Sequence, residues 1–187
     1  MKKLLLSVVL VTLAACAYSP QQITINPRID IAGESYGNGR AISVLGEDGR
    51  ENPVLGTRGG IYKDTSTITL SNDLVQAMVG AAKAKLATQG FNVNSDQPNA
   101  TLTLVVDQLS YDVPDGLPKT IDLKCALRVV AQSGGETYTG RYTTGSNLKT
   151  VMTPSMARNE ELVNKLLSDT LVRAFSDPKL IAFLSNI

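Results

Sequence analysis

The chain has 187 residues, with 18 Lys and Arg against 17 Asp and Glu, two Cys, and neither His nor Trp. This length predicts one domain with room for a core. A formal charge of +1 argues against a nucleic-acid binder, because such domains are usually strongly basic. Without His there is no Ser-His-Asp or Cys-His nucleophile, and two Cys are too few for an all-cysteine zinc site. The composition predicts a non-enzymatic protein without a metal or cofactor.

The first 15 residues have the pattern of a cleaved signal peptide. Lys2 and Lys3 precede a mostly apolar run over 4–13, which is too short to span a membrane but suits the core of a signal peptide. The sequence Leu13-Ala14-Ala15-Cys16 then resembles the lipobox of bacterial lipoproteins, in which the cysteine is acylated and begins the mature chain. A plain secretory signal, with the cysteine there by chance, is the alternative.

This resemblance implies a place in the cell. Acyl chains on Cys16 would anchor the protein, since two or more chains give stable membrane attachment. Residues 16–22 would then be the lipidated cysteine and its tether, and residues 23–187 a single periplasmic domain. Ala17 stands where an Asp would resemble an inner-membrane retention signal, so we expect the periplasmic side of the outer membrane of a Gram-negative bacterium. Cleavage removes Lys2 and Lys3, which changes the formal charge from +1 to −1.

Cys125 is then the second cysteine, left without a partner in an oxidising compartment. It stands in an alternating apolar series over 121–131. Free Cys is among the most buried residue types, and burial raises a thiol pKa and makes the thiol inert. We therefore expect Cys125 to be a core residue.

The first half of the chain, taken in order, predicts short strands and one helix. Isoleucines over 23–31 indicate extended segments, 41–45 a strand, 46–50 a turn, 56–60 a flexible stretch and 65–70 another strand. Apolar residues at helical spacing then predict a helix over about 72–88, preceded by Ser71-Asn72-Asp73 as capping residues and ended by Gly90.

The second half predicts a meander and two helices. Alternation changes phase between Val106 and Leu109, which indicates a β-bulge near Asp107-Gln108. Short turns then link three strands within about 100–144. Thr153-Pro154 predicts the start of a helix over about 154–175, and a short helix follows Asp177-Pro178. The pattern favours an α+β two-layer sandwich, an antiparallel sheet with both main helices on one face.

Candidate chemistry is sparse. The glycine-rich loop 56–60 lacks the ending of a P-loop and opens no helix. Glycoside hydrolysis needs two carboxylates, and three close acidic pairs are candidates for it. Each pair also suits a turn or a first helical turn; the pairs are Glu47-Asp48, Asp112-Asp115 and Glu160-Glu161.

Two polar features are candidates for partner binding. The polar phase of the meander predicts a sheet face bearing Lys124, Arg128 and Arg141 among threonines, although a solvated face is common in such sheets. Asp48 and Arg50 are two positions apart, so their side chains are expected to point the same way, although an Asp-Gly-Arg turn needs no function.

The chain resembles the YajG family of putative bacterial lipoproteins along essentially its whole length. The resemblance lies in the lipobox and in the arrangement of several short motifs, namely Asn26-Pro27, Val44, Asp48-Gly49-Arg50, Leu55-Gly56-Thr57-Arg58, Gln89-Gly90-Phe91 and Asp177 after the long helix. It implies a location and an architecture, and it implies no activity or cofactor.

Two functions remain open at this point. One is a non-enzymatic binding or accessory module of the cell envelope that engages an envelope protein or peptidoglycan. The other is an auxiliary lipoprotein of an ABC-type transport system, which the arrangement of an anchored α+β domain also resembles.

Overall fold

A computed structural model describes residues 19–33, 35–59, 63–114, 116 and 118–187. The predicted signal peptide, Cys16 and the first two tether residues, Ala17 and Tyr18, lie outside these ranges. Within them the chain forms seven strands and three α-helices. The strands are β1 (Gln21–Ile23), β2 (Ile42–Asp48), β3 (Gly56–Thr57), β4 (Thr67–Leu70), β5 (Ala100–Asp112), β6 (Lys119–Ser133) and β7 (Glu136–Thr150). The helices are α1 (Leu74–Thr88), α2 (Met156–Phe175) and α3 (Pro178–Ser185).

All seven strands belong to one sheet, in the order β1-β4-β3-β5-β6-β7, with β2 pairing with the first half of β5. The helices cover one face of this sheet, so the predicted α+β two-layer sandwich is confirmed. The meander β5-β6-β7 is antiparallel as predicted. The pairs β1–β4, β2–β5 and β3–β5 are parallel, which the sequence did not predict.

The predicted bulge lies in β5, where the register with β6 shifts between Val106 and Gln108. Before the bulge, Leu104 pairs with Val129, and after it Tyr111 pairs with Leu123. All four side chains are buried, because the extra residue returns the apolar phase of β5 to the helix side. The bulge therefore keeps both halves of a 13-residue strand in the same core.

The core lies between β6 and the helices. Alternate residues of β6 from Ile121 to Ala131 are all buried, and α2 packs on β6 and β7. Cys125 is fully buried among them, as predicted, and burial raises the pKa of its thiol to about 11. The thiol is therefore protonated at neutral pH.

A buried polar chain joins three elements. The Tyr111 hydroxyl of β5 donates to Asn159 Oδ1 of α2 at 2.7 Å, and Asn159 Nδ2 donates to Gln21 Oε1 of β1 at 2.8 Å. Burial raises the pKa of Tyr111 to about 12, so it stays a donor. Alternate backbone amides of the following segment bond along the same helix, including Thr24 N to Glu160 Oε2 at 2.8 Å. The start of the described chain is thereby held against the first turns of α2.

Several predicted boundaries are wrong. The turn predicted at 46–50 begins later, because Gly46 to Asp48 continue β2 along β5. Residues 56 and 57 form β3 instead of a flexible stretch, and β7 runs to Thr150 instead of ending near 144. Helix α2 begins at Met156 because Ser155, not Thr153, caps it by accepting from Arg158 N. The start and end of α1 agree with the prediction, with Asp73 as the cap and Gly90 at φ +86° after the last turn.

Two glycines give a matched test of this architecture. A Cβ on Gly56 would overlap the backbone carbonyl of Tyr111, whereas a Cβ on Gly80, inside α1, would meet no atom within 4 Å. We expect Gly56→Ala to lower the free energy of unfolding by at least ~2 kcal/mol, because backbone cannot yield as a side chain can. Gly80→Ala should raise it by ~0.5–1 kcal/mol. Urea unfolding followed by circular dichroism measures both, and equal stabilities would contradict the β3–β5 pairing.

Candidate functional site

The sheet face opposite the helices is here called the open face. It carries the polar phase of the meander, since Arg128 pairs with Val105 on one side and Arg141 on the other, while its chain neighbours Leu127 and Val129 are buried. Lys124 belongs to the same phase of β6. The structure thus places all three predicted basic residues on one face, together with the threonines predicted there, Thr101, Thr103, Thr139 and Thr143.

Three residues on the open face form what we call the arginine cluster: Asp107, Arg128 and Arg141. Arg128 donates to Asp107 through Nη2 at 2.8 Å and Nε at 3.3 Å, and Arg141 Nη1 lies 3.6 Å from the same carboxylate. The hydrogen bond to Asp107 raises the pKa of Arg128, and the charges of Asp107 and Glu47 add to this effect. Because acids accompany the arginines, the face offers paired charges instead of a strongly basic patch.

Lys124 does not belong to the arginine cluster. It is four residues from Arg128 along β6, which corresponds to about 13 Å at the rise of a β-strand. Its neighbours across the sheet are Ser110 and Gly145. The predicted basic surface therefore divides into a cluster and a separate lysine.

The open face also has an apolar part that sequence reasoning missed. Leu45 is 51% exposed and pairs with Thr103, whose other neighbour is Val130. Val105 follows Thr103 by two residues on β5, so it belongs to the same face, and its side chain is buried there. The sequence carries a signal for Leu45, because it falls in the outward phase of β2 between the inward Val44 and Gly46.

Asp107 is the other residue that sequence reasoning missed. The change of phase predicted the bulge, but the partners of the bulged side chain depend on the registers of β6 and β7. Those registers place Arg128 directly opposite Arg141, within reach of the Asp107 carboxylate.

Asp48 and Arg50 point the same way, as predicted, and form a bidentate ion pair. Arg50 Nε and Nη2 donate to the two oxygens of Asp48 at 2.8 Å each. The pair lies beside the first turn of α1, in a depression of about 320 Å³ that Asp73 and Leu74 also line. Asp48 belongs to the phase of β2 that points toward the helices, so the ion pair lies on the opposite side of the sheet from the arginine cluster.

This ion pair has an evident structural role. The Arg50 side chain is only 7% exposed and follows β2 where the chain leaves β5, next to the Gly49 N–H that bonds Val106 O. The hydrogen bond from Arg50 is the largest effect on Asp48 and lowers the pKa of its carboxyl. The ion pair thus fixes the chain where it leaves β2.

Three of the six acidic residues that are candidates for glycoside chemistry, Asp48, Glu160 and Glu161, bond other groups of the fold. Glu47 follows the open-face phase while Asp48 bonds Arg50. Glu160 accepts from Thr24 N, and Glu161 pairs with Arg158 at 2.6 Å. Asp115 lies outside the described residues. Across those residues, no group of three or more Cys, Asp or Glu is arranged to hold a metal ion.

A groove of about 820 Å³ separates the extended segment 26–33 from the outer face of α1. The helix presents small residues to it, Ala77, Gly80, Ala81 and Ala84, and Lys85 Nζ donates across one end to Ile31 O at 2.7 Å. The groove is a second surface that the sequence did not indicate, and it contains none of the predicted site residues.

A mutation tests the electrostatics of the Asp48–Arg50 pair. Arg50→Gln removes both charge-assisted bonds, so the pKa of Asp48 should rise toward the ordinary value of ~3.9. A carboxyl with a lowered folded-state pKa stabilises the fold above its unfolded pKa, and this contribution is lost as pH falls through the folded pKa. The stability deficit of the variant should therefore be present at pH 7 and shrink in acid.

Carboxyl NMR titration of Asp48 measures the shift, and urea unfolding at pH 7 and in acid measures the stability. Arg173→Gln is the control, because Arg173 bonds the carbonyl of Thr143 and should leave Asp48 unchanged. An unaltered Asp48 titration in Arg50→Gln would contradict the pairing.

A solved structure with a TM-score above 0.5 supports the fold. A protein from Xanthomonas campestris superposes with a TM-score of 0.58 at 8% identity, over 91% of this chain and 98% of that one. A minor lipoprotein from Acinetobacter baumannii gives 0.45 at 12% identity, over 79% and 94%. A lipoprotein from Neisseria meningitidis gives 0.37 at 13% identity, over 74% and 99%. No curated protein matches the chain.

The described ranges include no helix with the length and apolar character needed to cross a bilayer. Residues 27–185 match the model of a family described as uncharacterized lipoprotein. Because this match covers most of the sequence, the chain belongs to that lipoprotein family.

Proposed function

We propose that this chain is an outer-membrane-anchored, periplasm-facing lipoprotein that acts as a non-enzymatic binding or accessory module of the cell envelope. Membership of a lipoprotein family supports the anchored part of the proposal. The lipobox ending at Cys16 supports acylation of that cysteine, and Ala17 supports the outer membrane. The motif arrangement supports the finer assignment to the YajG family.

The open face carries the binding part of the proposal. Strands β5, β6 and β7 have 13, 15 and 15 residues, and the three described helices pack on their other face. The open face combines an exposed Leu45 with the arginine cluster, and exposed apolar area beside arginine is typical of protein interfaces. The near balance of charge favours a folded envelope protein over a polyanion.

The proposal of a non-enzymatic role rests on the composition and on the partners of the acidic pairs. Without His, proton transfer would fall to carboxylates, and three of the candidates, Asp48, Glu160 and Glu161, already bond other groups of the fold. Digestion of purified peptidoglycan by the wild-type protein would overturn this part of the proposal.

Photo-crosslinking in living cells tests the open face. A photoreactive residue in place of Leu45 is expected to give discrete adducts, while the same residue in place of the exposed Ala87 on α1 should give none. Combined Lys124→Ser, Arg128→Ser and Arg141→Ser should remove the Leu45 adducts. Arg158→Ser, Lys165→Ser and Lys179→Ser form the matched control, because they remove the same charge from the helix side.

Adducts of equal yield from Leu45 and Ala87 would contradict a binding role for the open face. Adducts to an ABC permease or its binding protein would favour the alternative of a transport auxiliary. A Cys16→Ser control is expected in the soluble fraction, because the anchor is then missing; its persistence with membranes would contradict the anchor.

A further inference from the structure

Exposed large apolar side chains are concentrated in one short segment. Among the described residues four are exposed, and three of these fall within six positions, Val151 at 91%, Met152 at 74% and Met156 at 51%. These three are here called the apolar loop; Val151 and Met152 directly follow β7, and Met156 is the first residue of α2. Concentrated exposed apolar residues mark interaction sites more often than single ones do.

Hydrogen bonds order the apolar loop. The Thr150 hydroxyl donates to Met152 O at 2.6 Å, and Thr150 Oγ1 accepts from Met152 N at 3.2 Å. The side chains of Val151 and Met152 therefore project from a defined turn. Ser155 then caps α2, so Met156 projects from the first helical turn beside them.

The apolar loop lies at the end of the domain where the N-terminal segment begins. Gln21 bonds Asn159, three residues after Met156, and the chain continues along α2 in the direction away from the loop. Only five residue steps separate Cys16 from Gln21, a reach of at most about 18 Å. A lipid on Cys16 would therefore hold this end of the domain near the bilayer.

Charge at the base of the loop suits a phospholipid surface. Lys119 pairs with Thr150, and Lys149 pairs with Thr120. These are the two residue pairs between β6 and β7 that lie nearest the apolar loop. Lys149 is exposed. Cationic side chains near apolar ones favour interfacial binding, because the cations meet lipid phosphates while the apolar groups enter the acyl boundary.

We propose that the apolar loop inserts into the surface of the bilayer that holds the lipid anchor, giving the domain a second membrane contact and a fixed orientation. This inference rests on the anchor proposed above. The open face is then held at a set angle to the membrane, since the loop and the tether together define one end of the molecule.

Fluorescence tests this contact, because the chain has no Trp and an introduced one reports alone. The lipidated full chain carrying Met152→Trp is reconstituted in phosphatidylethanolamine–phosphatidylglycerol vesicles, with and without brominated acyl chains. We expect a blue shift and about twofold quenching by the brominated lipid, since interfacial insertion reaches the acyl boundary. Leu45→Trp is the control, as its row of the sheet lies about 36 Å along β7 from the loop.

The outcomes separate the loop from the anchor. If the Met152→Trp protein floats with the vesicles but its fluorescence is not quenched, the inference about the loop is overturned and the anchor proposal stands. A blue shift that increases with the amount of protein per vesicle, but without quenching, would overturn the membrane contact and indicate contact between two copies of the protein. If Cys16→Ser floats as completely as the acylated chain, the anchor proposal is wrong, and quenching still decides the loop.

Discussion

One extra residue in β5 determines how the two faces of the sheet are used. The bulge after Val106 keeps Leu109 and Tyr111 on the helix side, where Tyr111 reaches Asn159 of α2. The same bulge leaves Asp107 to bond Arg128 on the open face. Without it, the second half of β5 would turn apolar side chains toward solvent and polar ones toward the core, since a shift of one residue inverts a strand.

The remaining features follow from this separation of faces. The helices cover the side where β6 places its apolar residues, and Asn159 ties that layer to Gln21 at the start of the domain. This bond holds the N-terminal segment at the start of α2, while the arginine cluster lies on the opposite side of the sheet. A domain anchored as proposed above could present its open face without moving the N-terminal segment.

Sequence periodicity was sufficient for the parts that depend on local spacing. It predicted the meander, the bulge, both main helices and the burial of Cys125, because each follows from alternation or capping within a few residues. It missed the parallel pairs and β3, since Gly56 is placed by the backbone of Tyr111 from a distant segment. Periodicity placed Lys124, Arg128 and Arg141 on one face, but it could not show that Asp107 bonds Arg128 or that Lys124 lies apart, because both depend on the strand registers.

Protection of lysines in the native envelope tests the central claim, that the open face is occupied by a partner, most directly. Lys124 on the open face and Lys165 on α2 are both exposed. An amine-reactive label is applied to intact envelopes and to the purified lipoprotein, and modification at each lysine is read by mass spectrometry. We expect Lys124 to be protected in the envelope while Lys165 is labelled equally in both samples. Equal labelling of Lys124 in the two samples would contradict occupation of the open face.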